Sequence, residues 1–238
     1  MRHLSRLQIV FILLVSIFAC HHADAQLYRA NNNFQEFQSK PYYFGITLGT
    51  SNSRYKVFRG QNFVNRDSIV VAEGLRAPGF NVAAIFNLKI GDNFDFRATL
   101  VGFSFVERPI EFQTASGSTF TRRIESVFFE APFLVRYKSA PYKDKRAFVV
   151  AGLKYSYDVA SNSGTREAEQ LIQLSPHDFQ IEVGVGIQMF FPYFIFSPEL
   201  KFSQGIGNIL IFNNQLEEAS ILEKVLSRVI TLSFHFEG

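Results

Sequence analysis

Along Asp178–Gly205, apolar and polar side chains alternate with a period of two. Phe179, Ile181, Val183, Val185, Ile187 and Met189 fall on one face, and Gln180, Glu182, Gly184, Gly186 and Gln188 on the other. After a Phe191-Pro192-Tyr193 corner the alternation resumes. Phe194, Phe196, Pro198, Leu200 and Phe202 then oppose Ile195, Ser197, Glu199, Lys201 and Ser203. Each run is about 10 residues, the length a tilted strand needs to cross a bilayer. Eight runs of this kind are predicted: Tyr42–Thr50, Gly79–Lys89, Phe94–Val106, Glu125–Lys138, Ala147–Val159, Phe179–Phe190, Phe194–Ser203 and Val229–Glu237. In the last, Ile230, Leu232, Phe234 and Phe236 oppose Val229, Thr231, Ser233 and His235.

Alternation by itself fits a soluble sheet with an apolar core or a membrane barrel with an apolar exterior. The connections separate the two. Segments 51–78, 107–124, 160–178 and 204–228 are long, whereas 90–93, 139–146 and 191–193 are tight. Because long and short alternate, long loops gather at one end, and tight turns with both termini at the other. This is the topology of an all-β, eight-stranded antiparallel transmembrane β-barrel with long extracellular loops and short periplasmic turns. A soluble lipocalin-like barrel also has eight strands, but outward aromatics on nearly every strand do not suit it. The Phe, Ile, Val and Met rows therefore face lipid and the Glu, Lys, Gln and Gly rows the lumen. Closure gives every backbone group a partner in hydrocarbon.

Composition supports strands: phenylalanine occurs 28 times in 238 residues, with no tryptophan. The first 25 residues read as a signal peptide. Arg2 and Arg6 are its basic region, Leu7 to Ala19 its apolar region, and Ala23-Asp24-Ala25 its cleavage site. An apolar stretch that short does not span a bilayer. Cys20, the only cysteine, admits a lipoprotein reading, although Ile17 and Phe18 before it are bulkier than a lipidation site normally carries. Residues 26–40 form a polar, Asn-rich periplasmic tail, and 41–238 the barrel. The net charge of +3, or +2 once Arg2, Arg6 and Asp24 are removed, gives no footprint for nucleic acid. No later segment approaches 18 uninterrupted apolar residues, which excludes a helical membrane protein.

The inward register collects Asp95, Arg97, Glu130, Arg136, Lys138, Lys154, Glu182, Glu199 and Lys201. Similar numbers of both signs in a confined space read as a structural ion-pair network that fills the barrel and argues against a pore. A carboxylate pair doing acid–base chemistry is the competing reading. Gly45, Gly49, Gly184 and Gly186 are expected to make room for the long charged chains. Pro132 and Pro198 fall within strands, where bulges are expected. Ser175 with His177, and Ser233 with His235, are the Ser–His pairs to weigh for catalysis, but neither has a marked acidic partner. No Cys/His or Asp-rich cluster and no Gly-rich phosphate loop appears, so neither metal, cofactor nor small-molecule substrate is expected. Within Asn214–Leu226, Asn214 as N-cap, Glu217, and the face Ile221, Leu222, Val225 and Leu226 predict a short helix. It would either fold over the barrel mouth or dock a partner.

Several stretches carry a family resemblance: "PGFNVAAIFNLKIGDNFDFRATLVGFSFVER" (Pro78–Arg108), "FFEAPFLVRYK" (Phe128–Lys138), "FVVAGLKYSYD" (Phe148–Asp158), "SPELKFSQGIGNIL" (Ser197–Leu210) and "RVITLSFHF" (Arg228–Phe236). Together they resemble the PorT family of barrels. The Glu-x-Pro of Glu130 to Pro132 and the Gly-x-x-Asn-Ile of Gly205 to Ile209 are its most recognisable parts. Gly102 to Arg108 and Ser197 to Lys201 narrow the likeness further. One departure is the end, where Glu237-Gly238 follow Phe236 in place of a final aromatic. The resemblance implies an outer-membrane subunit of the type IX secretion and gliding machinery, without catalytic residues. Its partners would be outer-membrane lipid and other secretion proteins, met through Arg29, Phe34 and Phe37 of the tail or Ile221, Leu222 and Val225 of the last loop. A general small barrel with a structural or adhesive role, and a lipid-modifying enzyme using His177 or His235, remain the alternatives.

Overall fold

A computed structural model of the chain describes residues 33, 37, 39–60, 69–114, 116–160, 174–211 and 222–238. Among the described residues there are eleven strands: β1 Tyr42–Arg59, β2 Ile69–Gly74, β3 Ala77–Lys89, β4 Phe94–Glu107, β5 Ile110–Thr114, β6 Thr119–Arg122, β7 Glu125–Lys138, β8 Lys145–Asp158, β9 His177–Phe190, β10 Ile195–Gly205 and β11 Leu222–Glu237. Eight of them close into an antiparallel barrel in the order β1-β11-β10-β9-β8-β7-β4-β3. The leader at 1–25 lies outside the described residues.

Within the barrel the period-two pattern sorts side chains by solvent. Phe44, Ile46, Phe133, Val149, Ile181, Val185, Leu200 and Phe234 are exposed on the outside. Thr47, Asn87, Asp95, Arg136, Glu182, Glu199 and Ser233 are buried within. An apolar exterior around a polar interior is the reverse of a soluble barrel, and it is the arrangement hydrocarbon requires.

The two prolines are accommodated differently from expectation. Pairing of β7 with β8 runs without a register shift through Pro132. Pairing with β4 instead lapses between Ala98 and Phe103, where β4 carries one extra residue. The bulge thus lies on the strand facing the proline nitrogen, because that is where the ladder lacks a donor. At Pro198 no bulge forms. Its pairing with β11 is regular, and the β9 ladder skips Ser197 and Pro198 without changing register.

Two features were not anticipated. The first is the length of β1, which was expected to end at Thr50 but continues to Arg59 against β11. Past Ser53 its polarity inverts, with Tyr55 buried on the inner side while Lys56 is exposed on the outer. Beyond the bilayer, water lies outside the barrel, so the apolar face turns inward. The second is a separate sheet of order β2-β5-β6, built from the first two long connections. It packs Ala72, Ile110 and Phe112 against Tyr55 of β1, Ile209, and Leu222 and Val225 of β11.

That core corrects the last part of the helix expected over 214–226; residues 214–221 lie outside the described residues. Leu222 to Leu226 belong to β11, paired with β1, and Ile221 lies outside the described residues. A register shift at Phe58/Arg59 leaves Glu223 without a partner, so Leu222 and Val225 both point into the core three residues apart. A β-bulge thereby reproduces the spacing of a helical face. Buried at 1% and 0% exposure, Leu222 and Val225 are not available to a partner.

Candidate functional site

The lumen is organised by one chain of alternating charges. Lys138 Nζ lies 2.5 Å from Asp95 Oδ1, and Arg136 Nη2 lies 2.5 Å from Asp95 Oδ2. Arg136 reaches Glu237 Oε1 at 3.4 Å, and Arg97 holds the same oxygen at 2.5 Å. Arg97 continues to Glu199 Oε2 at 2.7 Å, and Lys201 lies between Glu199 and Glu182, at 3.7 and 2.9 Å. Lys154 ends the series between Glu182 at 3.5 Å and Glu130 at 3.2 Å. From Lys138 to Glu130, cations and carboxylates alternate in equal number, drawn from β4, β7, β8, β9, β10 and β11. Charges removed from water need this mutual compensation to persist. Neutral partners complete it. Tyr43 donates its hydroxyl proton to Asp95 at 2.8 Å, Arg97 Nε donates to Asn87 Oδ1 at 2.8 Å, and Ser203 donates to Glu182 at 2.8 Å.

All nine inward charges named from the sequence belong to this chain. Glu237 was missed. It sat in the departure from an aromatic ending, yet its carboxylate joins Arg97 to Arg136 and also accepts from Gln188 at 3.3 Å. The alternation carried the signal, since Glu237 continues the inward row of Ser233 and His235.

An apolar wedge was also missed. Leu134, Phe148 and Val150 point inward and pack together, and the Arg136 and Arg97 guanidinium groups lie 5.2 and 5.9 Å from the Phe148 ring centre. Gly186 makes this possible: a Cβ there would stand 2.3 Å from the Phe148 ring. Of the four glycines expected to clear space for charge, Gly184 and Gly45 do so, beside Lys201 and Glu237. Gly49 instead faces Asn81, and Gly186 faces Phe148.

Among the described residues, packed side chains stand at both mouths. At the long-loop end the Arg108 side chain is buried with its guanidinium 5.1 Å from the Tyr55 ring centre and 4.6 Å from that of Phe128, beneath the core of the added sheet. At the short-turn end Phe37 is buried beside Phe190, with ring centres 6.2 Å apart, and Lys89 Nζ donates to the Phe37 carbonyl. A pocket of about 280 Å³ lies there, lined by Phe37, Lys40, Lys89, Lys138 and Arg146 among others. Phe37 is therefore packed on this barrel and not presented to a partner. Arg29 and Phe34 lie outside the described residues.

Neither Ser–His pair is set for catalysis. The Ser175 hydroxyl bonds the backbone of His177, whose ring meets Tyr155 Oη at 2.7 Å. The Ser233 hydroxyl is buried without a hydrogen-bond partner, and the His235 ring bonds Thr47 at 2.7 Å and Arg97 at 3.2 Å. A nucleophile needs its base within hydrogen-bond reach, and here each imidazole is engaged elsewhere. Among the described residues no three His, Cys, Asp or Glu side chains converge as a metal site.

The family model described as "Outer membrane protein beta-barrel domain" matches residues 25–210. The chain belongs to that family. It is an integral protein of the outer membrane. No curated protein matches it. Among solved structures, it is similar to Neisserial surface protein A at 10% identity and a TM-score of 0.45, over 81% of this chain and 96% of that one. It is similar to the outer membrane protein OprG from Pseudomonas aeruginosa at 9% identity and a TM-score of 0.48, over 83% and 95%. It is also similar to Ail, the attachment invasion locus protein of Yersinia pestis, at 12% identity and a TM-score of 0.36, over 84% and 100%.

Proposed function

We propose that this outer-membrane barrel is a non-enzymatic accessory subunit of the type IX protein secretion machinery, and of gliding where the host glides. Its role would be to assemble or stabilise that machinery. The observation that carries the reading is the filled lumen. Among the described residues a continuous ion chain, an inward phenylalanine and packed side chains at both mouths leave no conduit for cargo, so the protein works through the surfaces it offers. The secretion role itself rests on the resemblance to PorT in Gly102–Arg108, Glu130–Pro132 and Ser197–Lys201.

The periplasmic contact is assigned to the 26–40 tail, because a polar segment without a core of its own orders on a partner. With Phe37 packed against Phe190, Arg29 and Phe34 are its contact residues. Deletion of the gene is expected to trap secreted cargo in the periplasm and to abolish gliding. Arg29→Ala with Phe34→Ala is expected to do the same while the barrel still folds. Normal secretion in the deletion strain refutes the secretion role, and normal secretion in the double variant alone moves the contact to the outer loops.

A structural or adhesive barrel is the second reading. It is supported by the folded cap of β2, β5 and β6 on the outward end, a surface a purely anchoring barrel does not need. Lipid-modifying chemistry lacks comparable support, since neither serine hydroxyl meets an imidazole.

A further inference from the structure

The outer faces of β1 and β11 change character at one level. On β11 the exposed apolar row Phe236, Phe234, Leu232 and Ile230 ends at Arg228. On β1 the row Phe44, Ile46 and Leu48 passes through Thr50 and Asn52 to Arg54 and Lys56. Arg54 and Arg228 are direct cross-strand partners. Like charges placed opposite each other destabilise a strand pair, so this pairing calls for an anion between them. Among the described residues no carboxylate forms an ion pair with Arg54, Lys56 or Arg228. Glu73 lines the same pocket without reaching any of them.

The site has depth and orientation. A pocket of about 490 Å³ is lined by Arg54, Lys56 and Arg228 with Tyr55, Phe58 and Gly74. Arg228 Nε donates to Gln204 Oε1 at 3.0 Å, and its guanidinium lies 5.9 Å from the Phe202 ring centre, which leaves its terminal nitrogens for a ligand. Guanidinium groups bind phosphate oxygens through paired, charge-assisted hydrogen bonds. The residues stand at the first charged level beyond the apolar band, on the outward end, where the headgroups of the outer leaflet lie.

We propose that Arg54, Lys56 and Arg228 form a binding site for a lipid-borne phosphate, that of an outer-leaflet lipid A headgroup. The proposal rests on the barrel's orientation and is independent of the secretion reading. A fixed headgroup there would pin the rotation and depth of the barrel in the membrane and tie the cap to the leaflet surface.

Native mass spectrometry of the full mature chain in detergent tests it, with diphosphoryl lipid A, its dephosphorylated form and inorganic phosphate as probes. The wild type is expected to retain diphosphoryl lipid A at least about tenfold more tightly than Arg54→Gln/Arg228→Gln. It should bind the dephosphorylated lipid as weakly as that variant does and should not retain inorganic phosphate. Arg54→Lys/Arg228→Lys should fall between, which separates lost charge from lost folding. Gel mobility without boiling should be unchanged in both variants. Equal retention of the phosphorylated lipid by wild type and the glutamine variant overturns the site. Equal retention of both lipids by the wild type overturns the phosphate. Tight binding of inorganic phosphate that displaces the lipid overturns the lipid source.

Discussion

Glu182 is the most exacting position in the lumen. Its carboxylate, 1% exposed, lies 2.9 Å from Lys201 Nζ and 3.5 Å from Lys154 Nζ and accepts from Ser203 at 2.8 Å. Glu182→Ala leaves both ammonium groups in place without it. Removing one partner of a buried ion pair costs about 3–5 kcal/mol, chiefly because the remaining charge is stranded. Lys154 keeps Glu130 at 3.2 Å and Lys201 keeps Glu199 at 3.7 Å, so the loss belongs at the lower end, about 3 kcal/mol. For a domain of this size that corresponds to a fall of roughly 6–12 °C in the unfolding midpoint. The comparison is Ile187→Val, on the exposed outer face. It removes one methylene from a site where lipid chains fill the gap, at well under about 1 kcal/mol. Heating in detergent and reading the folded band on unboiled gels measures both. Pairing Glu182→Leu with Lys201→Met should recover much of the Glu182→Ala loss, since an apolar pair of similar volume strands less charge. Equal midpoints for Glu182→Ala and Ile187→Val refute the ion chain as the element that holds the barrel.

Gly186→Val is expected to block folding, because the new Cβ would stand 2.3 Å from the Phe148 ring and 2.7 Å from the Pro198 backbone carbonyl oxygen; a wild-type folded band on unboiled gels would refute this. Phe112→Ala, at 0% exposure in the cap core, should cost about 3–5 kcal/mol in the cap. Limited proteolysis should then cut within 108–124 while the barrel band persists, whereas loss of both together would show that cap and barrel fold as one unit. Planar-bilayer recordings are expected to show no large stable conductance, and steady open steps would contradict the filled lumen. Mass spectrometry of the mature protein is expected to find Gln26 first, and a diacylated Cys20 would refute cleavage after Ala25.

The barrel was legible because its rule is local. Successive side chains on a strand point to opposite faces, so Phe179 to Phe190 declares its two rows without reference to any other strand, and the alternation of long and short connections then gives one row to lipid and the other to the lumen. The same rule placed nine charges inward, but it could not pair them. Which carboxylate meets which cation depends on register around a closed sheet. Glu237 reaches Arg97 across 140 positions of chain, and only closure brings those rows together. The cap escaped for a related reason. β2, β5 and β6 are short, and their apolar residues are buried against one another, against Ile209 and against the raised ends of β1 and β11. The sequence from Leu222 to Leu226 even pointed to the wrong element, because one bulge turned a spacing of two into a spacing of three. Local alternation determined the wall of this protein, and the long-range register that closure imposes decided what fills and covers it.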